Sequence, residues 1–187
     1  VSYIQPYDRK DIKGVGNTKK VLKSKYDMDE KTPMDYEDKA LEYSAITMDM
    51  LYDQGKPIEI VGKEVCEFIA SMTPKCSKNK KPFLIGQNIP FDEGFFCQLM
   101  EYSGMINEVK KHLRGHEDFY GHWHPLYLDT ITIGQLALCH QPNMNSYKLE
   151  IMCESLGVEL DDAHDADADV SATTNVAMVL TKRMRSL

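Results

Sequence analysis

The chain has 187 residues, 42% of them hydrophobic and 27% charged, with a formal net charge of −7 at pH 7. These values favour a globular over a disordered chain, and they predict one globular domain over residues 1–187. The acidic balance argues against broad, non-specific binding to nucleic acid, and no apolar run reaches the length of a membrane span. The five cysteines are scattered without a close pair, which favours a reduced, cytoplasmic protein.

The first half of the chain mixes extended, charged and helical patterns. In chain order we predict a strand at 1–7, a charged loop excursion at 8–35, a helical pattern at 36–53 and a helix at about 60–72. Thr47 is the predicted N-cap of the second part of the helical pattern. In the helix at about 60–72, five apolar residues recur at helical spacing and are expected to face inward: Val61, Val65, Phe68, Ile69 and Met72.

The second half alternates strands and helices. In chain order we predict a strand at 82–86, a helix from about Pro90, a strand at 125–130, helices at 131–138 and 146–156, and a last helix at about 167–183. Gly157 is the predicted C-cap of the helix at 146–156. In the helix from about Pro90, the residues expected to face inward are Phe91, Phe95, Phe96 and Leu99. In the helix at about 167–183, they are Val170, Thr173, Val176, Ala177 and Leu180. This alternation predicts an α/β domain with a largely parallel sheet.

Two acidic positions stand at the starts of helices. Asp92 follows the strand and turn of IGQNIPF, and Asp169 lies in the first turns of the last helix, within HDADADVSATT. Interaction with the helix dipole accounts for acidic residues there in general, but not for His164 five residues before Asp169. Carboxylates from separate elements suit a pair of hard divalent cations, and a nearby histidine suits proton transfer from an attacking water.

The ordered set of motifs resembles the DEDDh exonucleases of the ribonuclease H-like superfamily. The matching pieces are Asn88-x-x-Phe91-Asp92 after a strand, Asp129-Thr130 at a strand end, and His164-x-Ala166-x-x-Asp169 opening the last helix. The resemblance implies an α/β, ribonuclease H-like mixed sheet flanked by helices. It also implies removal of nucleotides from the 3′ ends of single-stranded DNA or RNA, using two divalent cations, Mg²⁺ or Mn²⁺. It leaves open whether a polymerase is the partner, and no membrane is expected.

Carried over to this sequence, the resemblance gives Asp92 and Asp169 as metal ligands and His164 as general base. Asn88 and Phe91 would shape the strand-to-helix turn and the edge of the substrate groove. Two departures are small: Gln87 stands where the family usually has histidine, and Asp167 replaces a usually apolar residue.

A third departure concerns the family's first motif, an Asp-x-Glu on an apolar strand. Asp35-Tyr36-Glu37 has the spacing but lies in a charged helical stretch, and residues 1–7 resemble the family's third strand. We therefore expect the first two strands to be missing from this chain. Upstream residues would supply them, which we favour, or another chain would supply them, or the sheet is rebuilt. The alternative function is a catalytically inactive nucleic-acid-binding or interaction module of the same fold.

Histidines cluster in RGHEDFYGHWHP, at His116, His122 and His124, with Cys139 and His140 further along. Zinc sites commonly combine four ligands, with cysteines at defined spacing. This pattern favours a surface loop over a zinc site.

Overall fold

The structure, a computed structural model, describes residues 2–6, 41, 46–73, 80–160 and 166–185. This part of the chain is mixed α/β, with seven helices and two small sheets. The helices are α1 Met48–Gln54, α2 Ile58–Met72, α3 Ile89–Tyr102, α4 Ile106–His112, α5 Thr130–Leu138, α6 Leu149–Leu156 and α7 Ala166–Arg185. The strands are β1 Leu84–Gly86, β2 Gly115–Glu117, β3 Trp123–Pro125 and β4 Tyr127–Asp129.

The chain divides into two compact units. Unit 1 comprises Val1–Pro82 and Phe95–Leu113, and unit 2 comprises Phe83–Gly94 and Arg114–Leu187. Among the helices that the structure describes, none is both long enough and apolar enough to cross a membrane. The loop predicted at 8–35 and Asp35-Tyr36-Glu37 fall outside the described residues. So does the first part of the helical pattern at 36–53, apart from residue 41, which is helical.

Unit 1 is built around α2. The predicted N-cap at Thr47 is confirmed, because its hydroxyl oxygen accepts a hydrogen bond from the backbone N–H of Met50 at 3.2 Å. One face of α2 is buried, through Ile58, Val61, Gly62, Cys66 and Ile69. A side-chain carbon on Gly62 would come within 2.3 Å of Ser103 Cβ, so glycine permits this close approach.

Two predictions for unit 1 are wrong. Residues 2–6 form no strand, because their only ladder contact is an isolated parallel bridge between Ile4 and Lys56. Phe68 and Met72 do not face inward, since Phe68 is 63% exposed and Met72 is also exposed. Both fit the helical period of the buried residues, but the period does not report which side chains a neighbouring element covers.

Unit 2 contains both sheets. β1 pairs with β4 in parallel, in the register Leu84↔Tyr127 and Gly86↔Asp129. β2 and β3 form an antiparallel hairpin where we predicted a loop. The described sheets are therefore one parallel pair and one antiparallel pair, rather than one largely parallel sheet.

The core of unit 2 lies among α5, α6 and α7. Its buried residues are Ile133, Ala137, Leu138, Met152, Cys153, Ala172, Val176 and Leu180. The predicted C-cap is confirmed, because Gly157 is left-handed at φ 67° and donates to Glu154 O at 3.3 Å. Phe91 and Val170 of unit 2, and Phe95 of unit 1, are exposed, contrary to prediction. The helix predicted from Ser146 begins only at Leu149.

Candidate active site

The turn that carries Asp92 connects β1 to α3. Gly86 ends the strand, and a side-chain carbon there would approach Ile89 Cδ1 to 2.5 Å, so glycine lets the buried Ile89 pack against the strand end. Asn88 has φ 55°, a left-handed conformation that asparagine adopts more readily than most residues. Asp92 follows in the first turn of α3.

The Asp129 carboxylate holds this turn against the end of β4. Its Oδ2 accepts a hydrogen bond from Ile89 N–H at 3.1 Å, and its Oδ1 accepts from Asn88 N–H at 3.2 Å. Oδ1 also accepts from Ile131 N–H at 2.9 Å, which makes Asp129 the N-cap of α5. One carboxylate therefore pairs backbone donors at the starts of two helices. An acidic residue between a strand and a helix predicts an N-cap such as the one Asp129 forms on α5. The hydrogen bonds of Asp129 at the start of α3 cannot be predicted from the sequence pattern.

Gln87 joins three pieces of unit 2. Its side-chain amide donates to Tyr147 O at 2.9 Å, and its Oε1 accepts from the Thr130 hydroxyl. Thr130 is fully buried, and its Oγ1 also lies 3.2 Å from Gly86 O. Gln87 therefore has a positioning role, because it aligns the segment before α6 with the end of β1.

Asp92 and Asp169 line one cavity of about 510 Å³. Asp92 enters from the first turn of α3, and the half-buried Asp169 enters from the first turn of α7. Glu150, in the first turn of α6, is a third lining carboxylate that sequence motifs did not indicate. The apolar lining comes from Ile85, Ile89, Leu149, Leu160 and Val170.

Burial raises the pKa of two groups around the cavity, and neighbouring carboxylates add to the shift for one of them. Partial burial raises the pKa of the Asp92 carboxyl above its ordinary value, although the side chain keeps substantial contact with solvent. Burial, and then the negative charges of Asp169 and Glu150, raise the pKa of the Cys153 thiol. Cys153 therefore lies within the electrostatic reach of two of the three carboxylates.

The remaining predicted site residues have different outcomes. His164 lies outside the described residues. Phe91 is 65% exposed on α3, and Asp167 is exposed on α7. Within the described ranges, no group of three or more His, Cys, Asp or Glu side chains is arranged to hold a metal ion.

Of the clustered histidines, His124 contacts two carboxylates. His124 Nδ1 lies 2.7 Å from Glu93 Oε1, and its Nε2 lies 3.5 Å from Asp118 Oδ2. The rings of His116 and His124, paired across the hairpin, stack with centroids 5.7 Å apart. The hydrogen bond to Glu93 raises the pKa of the His124 imidazole, with a further contribution from Asp118 and opposition from partial burial.

No protein-family model and no curated protein matches the chain. A solved structure of exonuclease I is similar to it, with a TM-score of 0.57 and 18% sequence identity. The match covers 79% of this chain and 30% of that one, so this chain spans less than a third of that protein's length. At this identity the likeness concerns the fold alone: the chain has an exonuclease-like fold.

Proposed function

We propose that this chain is a metal-dependent 3′–5′ exonuclease that hydrolyses phosphodiester bonds at the 3′ ends of single-stranded DNA or RNA. The observation that carries the proposal is the sharing of one cavity by Asp92 and Asp169, each in the first turn of a different helix. The likeness of fold to an exonuclease supports the same class of activity. The parallel pair β1–β4 and the flanking helices support a ribonuclease H-like fold.

The cavity suits hard divalent cations such as Mg²⁺ or Mn²⁺. Such ions bind carboxylate oxygens and keep several waters, and Asp92 and Asp169 would be their ligands from this chain. When bound, the ions would supply a positive field that stabilises charge on the phosphate and lowers the pKa of a water. The raised pKa of Asp92 fits this role, since burial disfavours its charged form and a nearby cation would favour it.

The chain's own groups would supply the proton transfer and the substrate contacts. His164 is proposed as the general base that accepts the proton of the attacking water, because an imidazole titrates near neutral pH. Phe91 presents an exposed ring one residue before Asp92, so it is proposed to contact the terminal base. Asn88 would contribute by shaping the turn through its left-handed backbone.

The direct test is digestion of single-stranded DNA and RNA oligonucleotides labelled at the 5′ end, with Mg²⁺, Mn²⁺ or EDTA. The proposal predicts a ladder that shortens from the 3′ end only when a divalent cation is present. Asp92→Asn should abolish the ladder, whereas Asp49→Asn, an exposed acid in the first turn of α1, should leave it intact. A ladder that persists in EDTA would refute the metal-dependent mechanism.

A second candidate is a non-catalytic nucleic-acid-binding or interaction module of the same fold. It is favoured by one observation: among the described residues, no three or more His, Cys, Asp or Glu side chains are arranged to hold a metal ion. This candidate predicts binding to single strands that survives EDTA, with no shortening of the strand in either metal. Shortening by wild type, lost in Asp92→Asn, would eliminate it.

A further inference from the structure

Unit 2 presents two aromatic side chains to solvent at the tip of the β2–β3 hairpin. Phe119 is 96% exposed and Tyr120 is 81% exposed. Their rings meet edge to face, with centroids 5.5 Å apart and planes at 87°. Single exposed apolar residues are common on protein surfaces, but two adjacent rings with this exposure form a patch suited to a partner.

The turn beneath these rings is held by hydrogen bonds. Asp118 Oδ1 accepts from the backbone N–H of Tyr120 at 2.9 Å and from that of His122 at 2.8 Å. Asp118 N–H donates to His122 O at 2.8 Å, and Gly121 adopts the left-handed φ of 80° that the turn requires. The tip is therefore preorganised, so that ordering it on binding costs little.

The hairpin is tied to the helix turn that carries Asp92. His124 in β3 contacts Glu93 at 2.7 Å, and Glu93 directly follows Asp92 in α3. Glu93 is the more buried partner, with 17% of its side chain exposed. The hairpin that carries the aromatic tip therefore contacts the residue next to Asp92.

The charges beside the tip are not predominantly positive. Arg114 is positive, Glu117 and Asp118 are negative, and His116 and His122 are exposed histidines. Attraction to phosphates is therefore a weak source of affinity for this surface. Stacking on unpaired bases remains available, because every base of a single strand presents a ring face, whereas a duplex hides these faces.

We propose that Phe119 and Tyr120 form a stacking platform for unpaired bases of a single-stranded nucleic acid. This assignment builds on the exonuclease function proposed above and adds a substrate-binding surface outside the Asp92 and Asp169 cavity. The platform would bind the strand through its bases rather than its phosphates.

The test is fluorescence anisotropy in EDTA, with a labelled oligothymidylate of about 15 nucleotides and an abasic strand of the same length. The double variant Phe119→Ala/Tyr120→Ala should raise the Kd for oligothymidylate about tenfold or more and leave the Kd for the abasic strand unchanged. Tyr120→Phe, which keeps the ring, should bind like wild type. Because no metal is present, a failure of hydrolysis does not affect this result.

Phe68→Ala is the matched control, since Phe68 is an exposed ring of unit 1 and should leave both affinities unchanged. Wild type that fails to bind oligothymidylate would overturn the proposal. Equal binding by wild type and the double variant, or an equal loss on both strands, would also overturn it. So would a double variant that changes only the oligomeric state, since the tip would then contact a second copy of the chain.

Discussion

Asp129 Oδ2 accepts a hydrogen bond from the backbone N–H of Ile89 at 3.1 Å, at the start of the helix that carries Asp92. The same carboxylate caps the helix that follows β4. Asp129 therefore positions a candidate metal ligand from another strand without lining the cavity itself. This separates the acid that builds the turn from the acids proposed to bind metal.

Asp129→Ala should destabilise the fold by about 2–4 kcal/mol, because it leaves three backbone N–H groups without their charged acceptor. Asp129→Asn keeps one acceptor oxygen and should lose less. Urea denaturation of both variants would measure the change in the free energy of unfolding. Asp49→Ala is the control: Asp49 is exposed in α1, and its loss should cost no more than about 0.5 kcal/mol. An Asp129→Ala loss as small as that of the control would show that these hydrogen bonds add no net stability.

Asp92→Asn should change how stability depends on pH. Burial raises the folded-state pKa of Asp92, so the protonated acid favours folding at low pH. That contribution is complete below the unfolded-state pKa of about 3.9 and is lost as pH rises through the raised folded-state value. Without divalent cation, Asp92→Asn should therefore melt at a higher temperature than wild type at pH 7. The difference in Tm should shrink as pH falls through this window. A lower Tm for Asp92→Asn than for wild type at pH 7 would contradict a raised pKa for Asp92.

His124 should contribute stability that is greatest when its imidazole is charged. The hydrogen bond to Glu93 raises its folded-state pKa. The contribution is fully present below the unfolded-state pKa of about 6.5 and is lost as pH rises through the folded-state value. Thermal melting of wild type and His124→Gln across this range should show the wild-type advantage decreasing with pH. In Glu93→Gln, an NMR titration should find the His124 pKa closer to its ordinary value, and an unchanged pKa would rule out Glu93 as the cause.

His164→Ala should lower kcat about 10²- to 10⁴-fold while keeping metal affinity, as expected for the loss of a general base. Single-turnover digestion at saturating Mn²⁺ would separate the chemical step from binding. His140→Ala, which removes an exposed histidine at the end of α5, is the control and should retain full activity. Wild-type turnover by His164→Ala would show that another group accepts the proton.

The sequence predicted the elements of unit 2 better than their burial. The motifs around Asp92 and Asp169 mark the starts of two helices, and these residues do line one cavity. Apolar periodicity counts hydrophobic side chains but not which of them a neighbour covers, so Phe91 and Val170 were expected inside although they are exposed. The β2–β3 hairpin was missed because its pairing of His116 with His124 carries no alternating apolar pattern. The contact of His124 with Glu93 joins residues 31 positions apart, and local sequence patterns cannot predict such a contact.

The central claim is that Asp92 and Asp169 together hold divalent cations, and it is tested most directly by melting the protein with increasing Mn²⁺. A cation that binds only the folded state raises Tm as its concentration rises. We predict this rise for wild type and for Asp167→Asn, whose exposed carboxylate is on the same helix as Asp169 but does not line the cavity. The rise should be absent from Asp92→Asn and Asp169→Asn. Equal Mn²⁺-dependent shifts in all four proteins would contradict the claim, because the cation would then bind elsewhere.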